Sequence, residues 1–233
     1  MPRFRSPPAV VGVVLSGLLA LILLLIAEPL GVDLPGPLRS ILWLAVPLGG
    51  AALVGGRGAL TELGLSRFDN RGVAVALIGS LAMAAGLAIG GDSPTFDLAA
   101  LWRSALRPGF TEEVCFRGFA FGLLFWRARW PFVAAMATTG LLFGAMHLPA
   151  AILGGHVEQA WGAVLTTAAG GCWFAWLYAR WDRSLWVPIA AHVGMNLWWV
   201  LFTAGPTAAG GGPGATWGRV ATIVLVSVAT SRL

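Results

Sequence analysis

An all-α, polytopic membrane protein is the fold class this sequence predicts, on three observations. Of its 233 residues, 58% are hydrophobic and 11% are charged, whereas a soluble domain carries roughly 25% charged residues. The mean hydropathy is +0.80. The apolar residues also fall in stretches close to the length that spans a bilayer, separated by short Gly-, Pro- and Arg-bearing breaks.

Helices are predicted near 9–27, 41–56, 73–90, 111–126, 131–151, 161–179, 185–204 and 217–230, a bundle of about eight transmembrane helices. The first follows Arg3 and Arg5, as a secretory signal would. Its apolar run is longer than a signal core and no clean small-x-small cleavage site follows, so it reads as a retained span. Pro47 predicts a kink in the second. The fourth opens on a charged motif, and the stretch 99–107 before it reads as a loop, a surface segment or a re-entrant one. The last break, 205–216, is rich in Gly, Pro and Ala and carries no charge. It reads as a flexible connection, with the eighth helix packing loosely behind it. Three parts follow: N-terminal helices of unassigned role (1–95), a polar-motif core (96–204), and a loop with a C-terminal helix (205–233).

All fifteen basic residues are arginine, and they lie singly in the breaks between apolar segments. That pattern argues for loop anchors and against a nucleic-acid surface. With the N-terminus in the cytoplasm, Arg3, Arg5, Arg57, Arg67, Arg71, Arg127, Arg129, Arg180, Arg183 and Arg232 share that side, while Arg39, Arg103, Arg107 and Arg219 fall near the other. The asymmetry predicts both termini in the cytoplasm. The lysine-free, Gly- and Ala-rich composition suggests a bacterial inner membrane. Small residues four apart at Gly86/Gly90, Gly118/Gly122 and Gly140/Gly144 are consistent with close helix contacts. Cys115 and Cys172 have no paired spacing and predict neither a disulfide nor a Cys-based zinc site. Cys115 reads as a core residue rather than a nucleophile.

Three polar motifs interrupt the apolar sequence: Glu112-Glu113-Val114-Cys115-Phe116-Arg117, Phe143-Gly144-Ala145-Met146-His147 and His192-Val193-Gly194-Met195-Asn196. Burying such groups costs free energy unless they pair or work. Glu113 and Arg117 stand four apart on one helix face. Glu112 is rotated away from Arg117 and left to meet something else, as a general base would. The structural alternative is a helix start in which Thr111 caps and the two acids fill the first turn. His147 is expected late in an apolar helix with Phe143 one turn before it, as a wall of a pocket. His192 and Asn196 are one turn apart and point the same way. Both carry donors suited to a developing oxyanion, or to an interhelical hydrogen bond. His156, in a loop, reads as solvated surface.

Glu-Glu-x-x-x-Arg, Phe-x-x-x-His and His-x-x-x-Asn, in this order on successive membrane helices, resemble the CPBP family of CAAX proteases and bacteriocin-processing enzymes, also called Abi. The Ras-converting type of CAAX prenyl endopeptidase is its best-known branch. The resemblance covers about residues 96–204. It implies an intramembrane glutamate endopeptidase without a metal cofactor, acting on a membrane-associated or prenylated (CAAX-type) peptide or protein. Glu112 would activate water, and His147 would orient that water or pass the proton on. His192 and Asn196 would hold the oxyanion, with Glu113, Arg117 and Phe143 in support. Three rival readings stand beside it. A zinc metalloprotease would use Glu112 or Glu113 with His147 and His192. An immunity protein or scaffold would bind another membrane protein without catalysis, and a transporter would use the buried charges as a proton relay. The oligomeric state is not encoded in any motif found.

Overall fold

The computed structural model describes residues 6–27, 31–90 and 93–232, and over these the chain is an all-helical bundle. Arg3 and Arg5, counted in the arginine asymmetry, lie outside the described residues. In chain order the helices are α1 (Pro7–Ile26), α2 (Gly36–Gly55), α3 (Asn70–Ile89), α4 (98–127), α5 (Phe132–Ala145), the short α6 (Leu148–Leu153), α7 (Val157–Arg180), α8 (Trp186–Leu201) and α9 (Gly212–Arg232). Three helical segments, Pro7–Ile26, Gly36–Glu62 and Asn70–Ile89, are long and apolar enough to cross a membrane on length and composition. Large apolar side chains such as Leu19, Ile78, Leu81, Leu165 and Trp217 are exposed on the outside of the bundle. In water that surface would be a liability, and against lipid it costs nothing.

Polar contacts define the two ends of the bundle. At one end Glu62, after α2, accepts from Arg127 at the end of α4 and pairs with Arg183 before α8 at 3.7 Å. Arg67 meets Asp182 there at 3.1 Å. Three arginines read as loop anchors from the sequence thus lie at this end, and each touches a carboxylate of a neighbouring connection. At the other end the Thr95 N–H donates to Leu201 O at 2.6 Å, joining the approach to α4 with the end of α8. There too Thr207 Oγ1 donates to Gln159 Oε1 at 2.6 Å.

The fourth helix departs most from its predicted bounds. It begins at Leu98 rather than 111, so 99–107 is helical and not a loop. Asp97 caps it, its Oδ1 accepting from the N–H groups of Ala99 and Ala100 at 2.8 and 3.1 Å. Thr111 is therefore not an N-cap. It lies mid-helix and donates to Arg107 O at 2.9 Å. Pro108, which would ordinarily break a helix, follows a wide π-helical turn at Trp102–Leu106. Two further π-helical stretches, Val114–Phe121 and Leu123–Arg127, carry the helix through the core. Such i→i+5 turns are rare and concentrate at functional sites. Every residue from Val114 to Phe121 is buried, with α1, α2, α5 and α7 around them.

The C-terminal helix is a second correction. It does not pack loosely: α9 crosses α3 where glycines let the backbones touch. A methyl group on Gly86 would come within 2.5 Å of Gly214 O and 2.7 Å of Gly218 Cα. The indole N–H of Trp173 donates to Ser227 Oγ at 3.0 Å, and that of Trp181 to Thr230 Oγ1 at 3.1 Å, fastening the same helix to α7 and its end. Gly140 and Gly144 do make a close contact, with α7. A methyl on Gly144 would meet Val164 O at 2.5 Å.

Candidate functional site

Arg117 and Glu113 form the buried foundation of the site. Their side chains are 2% and 0% exposed, and Arg117 Nη1 donates to Glu113 Oε1 at 3.0 Å. The guanidinium carbon sits 4.3 Å from the centre of the Phe143 ring and 5.1 Å from that of Phe174, so aromatic faces supply part of the solvation that water would give. Gly171 of α7 leaves the room for this, since a Cβ there would come within 3.2 Å of Arg117 Nη2.

Glu113 Oε1 accepts a second hydrogen bond, from His192 Nδ1 at 2.8 Å. An ionised carboxylate only accepts, so Nδ1 carries the proton and Nε2 is the nitrogen that faces outward. That Nε2 lies 3.8 Å from Glu112 Oε2. Phe174 stacks on the imidazole, centroids 4.9 Å apart and planes 16° apart, fixing its plane.

His147 follows α5 instead of lying inside it. The helix ends at Ala145, and His147 stands in the turn before Leu148 and Pro149. Its Nδ1 donates to Phe143 O at 2.8 Å, and its ring meets the Phe143 ring edge-on at 4.9 Å. Here again the Nδ1 proton is engaged by the protein, and Nε2 is left for another group.

These side chains converge on one cavity of about 530 Å³, a volume typical of ligand sites. Glu112, Phe143, His147, His192 and Asn196 all line it, while Glu113 and Arg117 lie buried behind. Glu112 keeps a quarter of its side chain exposed. It also borders a second cavity of about 210 Å³, walled by Arg39, Ser40 and Trp43 of α2 with Arg107 and Thr111 of α4. The N-terminal part of the chain, which had no role from sequence, therefore contributes to the surroundings of Glu112. Asn196 and Ser104 border a third space of about 630 Å³ that reaches Thr95, Thr203 and Gly205 at one end of the bundle. Sequence reasoning did not single out Phe174, Gly171, Trp199, Thr167 or Arg219, which complete the surroundings. Thr167, Gly171 and Phe174 share a face of α7 at four- and three-residue spacing, a signal indistinguishable in the sequence from ordinary packing.

Cys115 is a core residue, its thiol donating to Trp43 O at 3.3 Å. Among the described residues no group of three or more His, Cys, Asp and Glu side chains is arranged to hold a metal ion.

An apolar helical bundle with paired acids and two imidazoles converging on an internal cavity is an integral membrane protein built around a polar site. Residues 94–198, nearly the span over which the motifs suggested a resemblance, match the family model of type II CAAX prenyl endopeptidases, Rce1-like. A protease role, acting on membrane-associated protein substrates, goes with the family. No curated protein and no solved structure matches the chain.

Proposed function

We propose that the chain is an intramembrane endopeptidase in which Glu112 activates the attacking water. The observation that carries this reading is the division of labour within the acidic pair. Glu113 is fully buried and committed to Arg117 and His192, whereas Glu112 faces the cavity with no ion pair shorter than 3.8 Å among the described residues. A base must be reachable and not already neutralised, and Glu112 meets both conditions.

His147, its Nδ1 proton given to Phe143 O, offers Nε2 as an acceptor that orients the water or takes its proton onward. His192, backed by Glu113, offers the outward Nε2. Carrying a second proton, that nitrogen donates to the tetrahedral oxyanion together with the Asn196 amide. Water adds to the carbonyl carbon and its proton passes to Glu112. The C–N bond then breaks as the proton is delivered to the leaving amine, so no covalent enzyme intermediate forms. A membrane-associated peptide or protein is the substrate, prenylated or not.

No metal takes part in this scheme. In membranes carrying the chain, Glu112-dependent cleavage is expected to persist after treatment with a zinc chelator. Loss of cleavage that returns on adding zinc would assign the site to a metalloprotease instead.

The arginine-rich end of the bundle, with both termini, is assigned to the cytoplasm, in keeping with a bacterial inner membrane. The cavity then opens toward the other face, because Pro206, Thr207 and Ala208 of the α8–α9 connection line it. A membrane-impermeant thiol reagent is expected to label Thr207→Cys in intact cells, and Asp182→Cys only after permeabilisation. The reverse pattern would invert the orientation.

A further inference from the structure

One charged group in the cavity has no part in the hydrolysis scheme. Arg219 of α9 lines the same space as Glu112, His147 and His192. It lies outside residues 94–198, on the helix that the family match does not cover. Its guanidinium carbon sits 5.2 Å from the ring centre of Trp199, and Trp199 is held in turn by donating its indole N–H to Gly205 O at 2.9 Å. Among the described residues no carboxylate pairs with Arg219, although every one of Arg67, Arg117, Arg127 and Arg183 has one. It is about two helical turns inside α9, about 10 Å along the axis from its start at Gly212.

A guanidinium held in place on an aromatic face, turned to a cavity and given no anion by its own chain, is suited to an anion brought by a ligand. Other features of the cavity narrow the ligand. Glu112 repels an anion near itself, so the negative group belongs on a part of the ligand away from the scissile bond. Met83, Trp173, Met195 and Ile223 offer apolar walls for the intervening side chains. We propose that Arg219 is an anion subsite that holds a carboxylate of the substrate chain, either its C-terminal carboxylate or an acidic side chain near the cleaved bond. The proposal rests on the endopeptidase reading and deepens it to a substrate class: peptides with a negative charge close to the scissile bond.

The test reads binding, so it does not depend on turnover. Three capped tripeptides of alanine and leucine are titrated against the full chain in detergent, with the shift in melting temperature as readout. One has a free C-terminal carboxylate, one is amidated, and one is amidated with an aspartate in the middle. The free acid or the aspartate peptide is expected to bind roughly tenfold or more tighter than the plain amide, the size of one charge-assisted contact. Whichever of the two is preferred identifies the source of the carboxylate. Arg219→Gln abolishes the preference and Arg219→Lys keeps most of it. Arg219→Met, which retains the apolar stem, replaces Arg219→Gln if that variant does not accumulate. Equal binding of all three peptides, no binding of any, or a preference that survives Arg219→Gln overturns the proposal. An unchanged preference with a lower melting temperature would make Arg219 an anchor to lipid headgroups. A carboxylate preference in a chain that cleaves nothing would fault the endopeptidase reading and leave the subsite standing. Cleavage without the preference would do the reverse.

Discussion

Glu112→Gln is expected to lower peptide-bond cleavage by about a hundredfold to ten-thousandfold, the usual contribution of a positioned base. The fold should survive it. Glu112 is a quarter exposed and makes no short ion pair, so the amide fits the same space without leaving a buried charge behind. The rate at which new termini form in membranes, compared at equal abundance of the two chains, is the readout. Cleavage retained within about threefold of the parent would remove Glu112 from the role of base. The next acid in line, Glu113, is shut away at 0% exposure and is committed to two partners.

Arg117→Ala is the second large expectation, and its effect is on the folded state. Glu113 would keep His192 as its partner but lose the guanidinium at 3.0 Å, in a place water does not reach. Removing one member of a buried ion pair costs about 3–5 kcal/mol. The rings of Phe143 and Phe174 would also face a void where the guanidinium had been. Thermal unfolding in detergent and the amount of protein in the membrane report the loss. The double substitution Glu113→Gln/Arg117→Met is expected to be more stable than Arg117→Ala, because it removes the stranded charge rather than creating one. Normal accumulation and activity of Arg117→Ala would contradict this account of the buried pair.

Much of this site could be read in the chain because charged residues inside apolar runs are costly and few. Glu112, Glu113, Arg117, His147, His192 and Asn196 stood out for that reason, and the fold gathers them around one cavity. The i,i+4 rule brought Glu113 and Arg117 together correctly even though the helix is locally π-helical. It had nothing to say about His192, whose Nδ1 reaches Glu113 from a residue 79 positions away. The roles that depend on which imidazole nitrogen carries the proton could not be drawn from spacing at all.

The all-helical class and most helix positions followed from hydropathy. The errors came where polar residues sit inside helices or glycine does the packing. Arg103, Arg107 and Pro108 made 99–107 look like a break, but the Asp97 cap and the wide turn before Pro108 keep it helical. The Gly-rich break that includes Gly214 looked like the sign of a loose C-terminal helix, but Gly214 together with Gly218 is what lets α9 press against Gly86 of α3. Arg219 was counted only as a charge near a helix start. Its place in the cavity depends on that tight crossing and on Trp199, contacts that no local pattern encodes.

The most direct measurement of the central claim compares protein termini in membranes of cells carrying the parent chain with those carrying Glu112→Gln at matched abundance. It presupposes no substrate. The account predicts a set of internal termini in membrane-associated proteins that form with the parent chain and vanish with Glu112→Gln. Identical termini in both, with a cellular phenotype that survives the substitution, would contradict it and leave a protein that binds without cutting.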